Sequence, residues 1–329
     1  MTSMQHKFGA LDLIRAGLQD LDRARTLFDE LHNDGIDDDR MRLLLATLEK
    51  ACDPDIALSN LVDIIKVMQS QGKDFTNIIA DENSFVRLIT VLGVSDEMGK
   101  LMRFRPELVE AAANDACESH LYNHEQRRAH VLKSVGADPN DHTMPTASLP
   151  LAEAATALRK TYRKQLAAIM AQDATANDPI EIQPRISTEL SDLADAALEG
   201  ALAIARHEVD GSEHVRFAII GMGKLGAQEL NYVSDVDLIY VVEPADMDTN
   251  GMALSRIGTK MATTLQRVCQ SVIMGVAEPT LWQIDGGLRP EGKDGPLVRR
   301  LESHEAYYEQ WAENWEFQAL LKARPVAGD

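Results

Sequence analysis

Gly221-Met222-Gly223-Lys224-Leu225-Gly226 follows the apolar run Val215–Ile220, and Ser234-Asp235-Val236-Asp237 opens a second apolar run that reaches Val242. Short apolar runs bounded by glycine read as buried strands. GxGxxG after a strand is also the dinucleotide-binding fingerprint, and Glu243 stands near the distance of a ribose-binding acid. The spacing argues against that reading. A Rossmann unit places a helix of about three turns between the glycines and the next strand. Here only residues 227–235 intervene, and Asn231-Tyr232-Val233-Ser234-Asp235 is turn-like. The residues before the motif offer no βαβ pattern to extend such a sheet.

The acids beyond the glycines point elsewhere. Asp235 and Asp237 lie two apart at a strand start, so both side chains share one face. Carboxylates held this close repel, and a divalent cation relieves the repulsion by taking oxygen ligands from both. A third acid, Asp285, ends Leu281-Trp282-Gln283-Ile284, which reads as a further strand. An acidic pair alone is as readily a solvated strand end. Glycine turn, Asp-x-Asp and a lone acid on a later strand together resemble the layout of polymerase-β-type nucleotidyltransferases. In that layout the turn brings backbone N–H groups to a phosphate, and the acids hold Mg²⁺ for in-line displacement at phosphorus.

Outward from this core the chain is helical. Met41–Glu49 and Ile56–Met68 place apolar residues at i, i+3, i+4 and i+7, and Asp81 with Glu82 can cap a helix through Phe85–Ile89. Gly136, Pro139, Pro145 and Pro150 sit among Asp, Asn, Ser and Thr, which is linker chemistry. Helix resumes at Leu151, breaks over 174–185, and restarts near Ile186 with Ser187 in the cap region, running to about His207. Further helices are expected over about 253–274 and 304–321. The expected fold class is α+β: a helical N-terminal region (1–115), a loose linker (116–150), long helices (151–207) and a nucleotidyltransferase domain (208–329).

Composition narrows the function classes. The 329 residues are 45% hydrophobic and 26% charged, a globular balance, and 5% aromatic, too few for a β-sandwich core. Lys plus Arg number 33 against 52 Asp plus Glu, a net charge of −19 that repels nucleic acid while leaving room for a small basic pocket. Cys52, Cys117 and Cys269 lack metal spacing and read as reduced thiols. With no secretory signal and no spanning apolar run, the expectation is a cytoplasmic protein without membrane or nucleic-acid partners.

Three ordered blocks resemble one family, the glutamine synthetase adenylyltransferase and adenylyl-removing enzymes. They are Gly221–Gly226 with Glu229-Leu230-Asn231 and Ser234–Ile239; Asp285 with Leu288-Arg289-Pro290, Gly292 and Gly295–Val298; and Trp315-Glu316, Gln318-Ala319-Leu320 and Lys322–Asp329. They cover the last third of the chain, and Leu92–Ser95 and Leu158-Arg159 before Tyr162-Arg163 fit the same style. The family has two homologous nucleotidyltransferase domains. The C-terminal one moves AMP from ATP to a tyrosine of glutamine synthetase, and the N-terminal one removes it by phosphorolysis, releasing ADP. The helical residues before the motif, Glu229-Leu230-Asn231 and the run Arg324–Asp329 match the N-terminal domain. The resemblance therefore implies the removing activity, with the second transferase domain absent from this chain.

On that resemblance Asp235, Asp237 and Asp285 are catalytic and hold Mg²⁺ or Mn²⁺. Gly223, Lys224, Gly226 and Ser234 contact the nucleotide phosphates (ADP or ATP), while Arg289 and Lys293 bind inorganic phosphate. Glutamine synthetase is the implied protein substrate and a PII-type nitrogen signalling protein the implied regulator. Two rivals remain open: adenylylation from ATP at the same metal site, and a non-catalytic regulatory or nucleotide-binding module that needs the other half. Several features carry plainer readings. His120 and His124 are exposed helix histidines lacking a third ligand, and Asp37-Asp38-Asp39 is a solvated cap. Lys160, Arg163 and Lys164 form a basic helix face, Lys322 and Arg324 are as suited to salt bridges as to catalysis, and Trp311, Trp315 and Phe317 are expected to pack the last helix.

Overall fold

The computed structural model describes residues 8–73, 75, 81–113, 122–245 and 250–329. It forms two compact units, Met1–His120 with Lys164–Ile182, and Leu121–Arg163 with Gln183–Asp329. The first is helical: α1 (Ala10–Arg15), α2 (Leu21–Asn33), α3 (Asp38–Leu48), α4 (Pro54–Ser70), α5 (Glu82–Val94), α6 (Asp96–Phe104) and α7 (Pro106–Ala113). Acidic or hydroxyl caps start most of these helices. Asp20, Asp37, Asp53, Asp81 and Ser95 each accept a first-turn backbone N–H. Asp37 of the acidic triplet is thus the cap itself, and Asp38 and Asp39 fill the first turn. One apolar core joins Phe28, Leu44, Leu61, Ile64, Leu88 and Leu92.

The second unit begins with α8 (His124–Ser134), inside the stretch expected as a linker. Asn123 and Gln126 close a capping box at its start, but its apolar period is weak and only Arg127, Val131 and Leu132 are buried, so periodicity does not signal it. His120 and Cys117 lie outside the described residues. Two long helices follow, α9 (Leu151–Ala174) and α10 (Pro179–Glu208). The expected cap at Ser187 is displaced: Asp178 accepts from Ile180 and Glu181, and α10 carries Pro184 inside it. Ser187 is instead buried in the helix, accepting from Gln183.

The sheet then forms from β1 (Val215–Gly221), β2 (Val236–Pro244), β3 (Ile284–Asp285), β4 (Val298–Arg300) and β5 (Arg324–Gly328). Its order is β3-β2-β1-β5, with β4 also on β2; β1 runs antiparallel to β2 and β5, whereas β3 and β4 run parallel to β2. The result is a small mixed sheet in an α+β chain. Between β1 and β2 lies the one-turn α11 (Gly223–Gly226), and α12 (Gly251–Gln270), α13 (Leu301–Gln310) and α14 (Asn314–Leu320) complete the unit. The expected helix over 304–321 is thus two, broken at residues 311–313. Trp311 and Trp315 do not pack it, being 73% and 50% exposed, whereas Phe317 sets its ring against Tyr308 of α13 with centroids 5.8 Å apart. Pro325 is accommodated because, among the described residues, β5 pairs only with β1, leaving an edge where a missing N–H costs little.

Side chains of α9 fix the approach to β3. Arg159, 1% exposed, donates to the carbonyls of Val268, Ser271 and Glu278 at 2.7–3.1 Å. Arg163 donates to Pro279 and Thr280 at 2.7 and 2.6 Å. Trp282 Nε1 donates to Tyr162 Oη at 3.1 Å. Arg163 is therefore buried, and the expected basic face of Lys160, Arg163 and Lys164 loses its middle member. Arg159→Ala leaves three carbonyls without donors, so urea unfolding should show a loss of about 3 kcal/mol or more. Arg159→Lys should rescue little, since one ammonium cannot reproduce the guanidinium fork.

Candidate active site

The two-residue β3 sets the site. Val236 pairs with Ile284 and Asp237 with Asp285 in parallel register. Val236 N donates to Gln283 O at 3.0 Å, and Ile284 N donates to Gln270 Oε1 of α12 at 2.7 Å. Register partners on adjacent strands share a face, so the two carboxylates stand side by side. Asp235, exposed at the strand mouth, shares that face by period two. Asp285 Oδ1 accepts the Gly287 N–H at 2.7 Å. Burial raises the Asp237 pKa above the usual carboxylate range, and the charges of Asp235 and Asp285 raise it further, while Lys224 opposes them.

The glycine turn lies against this pair. Met222 N donates to the Asp237 carbonyl at 2.8 Å. Gly223 has φ +51°, and a Cβ there would run into Asp237 Oδ2. A Cβ at Gly287 would likewise lie 2.9 Å from Asp285 Oδ1. Each carboxylate thus faces a glycine that puts no side chain of its own against it. Hard oxygen donors, like charges in register and a cradle kept clear by two glycines fit a divalent cation of the Mg²⁺ type. The three acids are not closed into a tight cluster. Among the described residues, ligand atoms within 4.8 Å of one another occur at His124, Asp192 and Asp195. There Arg324 already neutralises Asp195 through two nitrogens, which disfavours a cation.

The other expected contacts divide. Lys224, exposed on α11, acts on Asp237 through its charge. Gly226 gives its N–H to Met222 O at 2.9 Å, and a Cβ there would collide with the Lys322 carbonyl. Its glycine therefore serves close packing, and its N–H is not open to a phosphate. Ser234 Oγ donates to the Asp235 carbonyl at 2.8 Å. Arg289 is not aimed at an anion: Nε, Nη1 and Nη2 donate to the carbonyls of Gly286, Lys293, Gly295 and Pro296 at 2.7–3.3 Å. It staples the 286–296 turn, and the exposed Lys293 lies over Gly287 beside Asp285. Lys322 pairs with Glu229 at 2.7 Å.

Arg324 and Asp195 form an anchor that spacing did not reveal. Arg324 grips the fully buried Asp195 carboxylate of α10 and donates to Leu225 O and Gly226 O at 3.1 and 3.3 Å, tying the glycine turn to α10 and β5. The sequence signal was the block Lys322–Asp329, whose arginine has no local partner to betray its role.

The sequence profile described as glutamate-ammonia ligase adenylyltransferase matches residues 85–329. A bifunctional glutamine synthetase adenylyltransferase/adenylyl-removing enzyme of Bifidobacterium longum (strain DJO10A) is 72% identical over 329 residues, 100% of this chain and 31% of the relative. Enzymes of the same description from Cutibacterium acnes and Corynebacterium glutamicum are 40% and 38% identical, over 97% and 87% of this chain and 32% and 29% of their own lengths. The chain thus spans about a third of the curated relatives it matches, and the match falls in their N-terminal part. No described helix is long and apolar enough to cross a membrane.

The Asp237 environment has a thermodynamic consequence. Its folded-state pKa is raised, so protonation favours the fold, and metal-free stability should rise as pH falls through that elevated value. Asp237→Asn removes the like-charge repulsion and should raise the metal-free Tm. Mg²⁺ should raise the wild-type Tm and leave that of Asp237→Asn unchanged. Calorimetry with and without Mg²⁺ checks both signs, and a full Mg²⁺ response in Asp237→Asn would contradict the ligand assignment.

Proposed function

The chain belongs to the glutamate-ammonia ligase adenylyltransferase family, and we propose that its acidic cleft is a polymerase-β-type nucleotidyltransferase centre that removes AMP from the adenylylated tyrosine of glutamine synthetase. The observation that carries this reading is Asp237 in register with Asp285 beneath the Gly223 turn. The relatives' names hold both an adding and a removing activity, and the match to their N-terminal part supports the removing one. The activity belongs in the cytoplasm, where a PII-type signalling protein is the proposed regulator.

The reaction is a displacement at phosphorus. An oxygen of inorganic phosphate bonds to the adenylyl phosphorus while the bond to the tyrosine oxygen breaks. The electron pair leaves on the phenolate, which then takes a proton, and the products are tyrosine and ADP. A divalent cation held by Asp237 and Asp285, with Asp235 at the mouth, would neutralise charge on the phosphoryl oxygens and the leaving phenolate, whose parent phenol has a pKa near 10. The chain's own residues orient the reactants. Gly223 lets the backbone approach the phosphoryl group, and Lys224 and Lys293 supply positive charge near Asp237 and Gly287, respectively. Arg289 keeps the Lys293 turn in place.

The chain, mixed with adenylylated glutamine synthetase, phosphate and Mg²⁺, should release ADP in a phosphate-dependent manner. Asp235→Asn and Asp237→Asn should each lower the rate by about 100-fold or more without unfolding the protein. AMP incorporation from ATP, with no ADP release, would assign the opposite direction. Retained turnover in either variant would remove the metal-site assignment.

A further inference from the structure

Helices α13 and α14 form a strap along one side of the acidic cleft. α13 packs on β2 and β4, over the sheet face that carries Asp237. By period two Ile239 and Val241 share that face, and His304 and Tyr308 of α13 stand opposite them. The strap is tied to both turns that border the acids. At its elbow Tyr307 Oη donates to Glu316 Oε1 at 3.1 Å and accepts the Glu291 N–H at 3.4 Å, which reaches the turn after Asp285. Arg299 lies over the Tyr307 ring at 5.4 Å and pairs with Glu291 at 2.8 Å. At the far end Lys322 pairs with Glu229, and its carbonyl lies against Gly226 of the glycine turn. α14, seven residues and about 10 Å long, thus bridges the Asp285 side of the cleft to the Gly223 side.

This strap shows solvent what a core would hide. Trp311 at the elbow and Trp315 in the first turn of α14 stand in solvent, and Leu321, just past its end, is 84% exposed. Val233, two residues before Asp235, is 91% exposed, so apolar surface also stands at the strand mouth. Trp315 Nε1 donates to Glu313 Oε2 at 3.2 Å, which satisfies its one polar atom and leaves ring surface for a partner. From Leu301 to Leu321 the sequence holds five glutamates and no lysine or arginine. Glu305 and Glu309 of α13 and Glu313 at the elbow are exposed. An indole face beside carboxylates suits a lysine or arginine, which gains cation–π attraction from the ring and charge attraction from the acids. A second copy of this chain, at net charge −19, is repelled by the same acids.

We propose that the strap docks the polypeptide around the adenylylated tyrosine, a segment with apolar side chains and a lysine or arginine within about four residues of that tyrosine. The inference rests on the nucleotidyl-transfer reading above and names the surface that holds its protein substrate. A tyrosine whose phosphodiester lies at Asp237 keeps its own backbone at the mouth. Each neighbouring residue reaches at most about 3.5 Å further, so close neighbours suffice to span α14. Trp311 and Trp315 bind the flanking chain and leave the chemistry at phosphorus to the cleft.

Steady-state ADP release by the full chain, with phosphate and Mg²⁺, separates docking from chemistry. Two substrates are compared: adenylylated glutamine synthetase and the small compound N-acetyl-O-adenylyl-tyrosine amide. Trp315→Ala should raise KM for the protein about 10-fold with kcat kept within about two-fold, and leave kcat/KM for the small compound unchanged. Trp315→Phe should restore most of the affinity. Glu309→Lys should raise the protein KM several-fold in low salt, and the difference should fade as salt rises. An unchanged protein KM in Trp315→Ala, or an equal loss on both substrates, would overturn the docking surface alone. A wild-type dimer that Trp315→Ala dissociates, with the protein KM unchanged, would assign the strap to a second copy instead. No ADP from either substrate in the wild type would overturn the nucleotidyl-transfer reading and the docking surface together.

Discussion

The parallel register between Val236-Asp237 and Ile284-Asp285 is the constraint on which the site depends. A slip of one residue would turn one of the two acids to the opposite face and dissolve the pair. Two paired residues are too few to hold such a register through ladder hydrogen bonds alone. Side chains from elsewhere supply the rest: Arg159, Tyr162 and Arg163 grip the segment before β3, Gln270 takes the Ile284 N–H, and Arg289 staples the turn after Asp285. Each bond runs from a side chain to a backbone group or to another side chain, in a buried or half-buried setting where a lost partner is expensive.

A second set of bonds fixes the opposite wall. α10 carries Glu189, Asp195 and Glu199 in buried positions, and each has a partner: Arg127 of α8 at 2.9 Å, Arg324 of β5, and the Gly328 N–H at 2.8 Å. Buried carboxylates are tolerable only with such partners, so sequence changes at one end propagate to the other. Through Arg324 the helix also holds the glycine turn, and through that turn it bears on Asp237. The repulsive cluster of acids at the cleft is thus carried by a framework whose own charges are paired.

Much of this was legible in the residues. Period two and the glycines located β1, β2 and the shared face of Asp235 and Asp237, and aspartate caps marked the starts of α3, α4 and α5. The elements that escaped share a physical cause. Residues of α8 are mostly polar, β4 is too short for a period to register, and β5 contains a proline that reads as a break, whereas the run 281–285 did signal β3, of which only Ile284–Asp285 pair. Arg289 looked like an anion ligand because a guanidinium beside a glycine-rich turn suits phosphate; the same fork suits four carbonyls of a tight turn equally well. Asp195 sits in an ordinary helical run, and only the fold brings Arg324 to it. The two outer tryptophans stand in solvent although their apolar surface suggested a packed helix.

Anomalous diffraction from crystals grown with Mn²⁺ and ADP discriminates between the two places where acids gather in this chain. The expected result is a Mn²⁺ peak bridging Asp237 and Asp285, close to Gly223 and in contact with the ADP phosphates. A peak confined to His124, Asp192 and Asp195, with the Asp237–Asp285 cleft empty, would contradict the metal-site assignment and the nucleotidyl-transfer reading built on it.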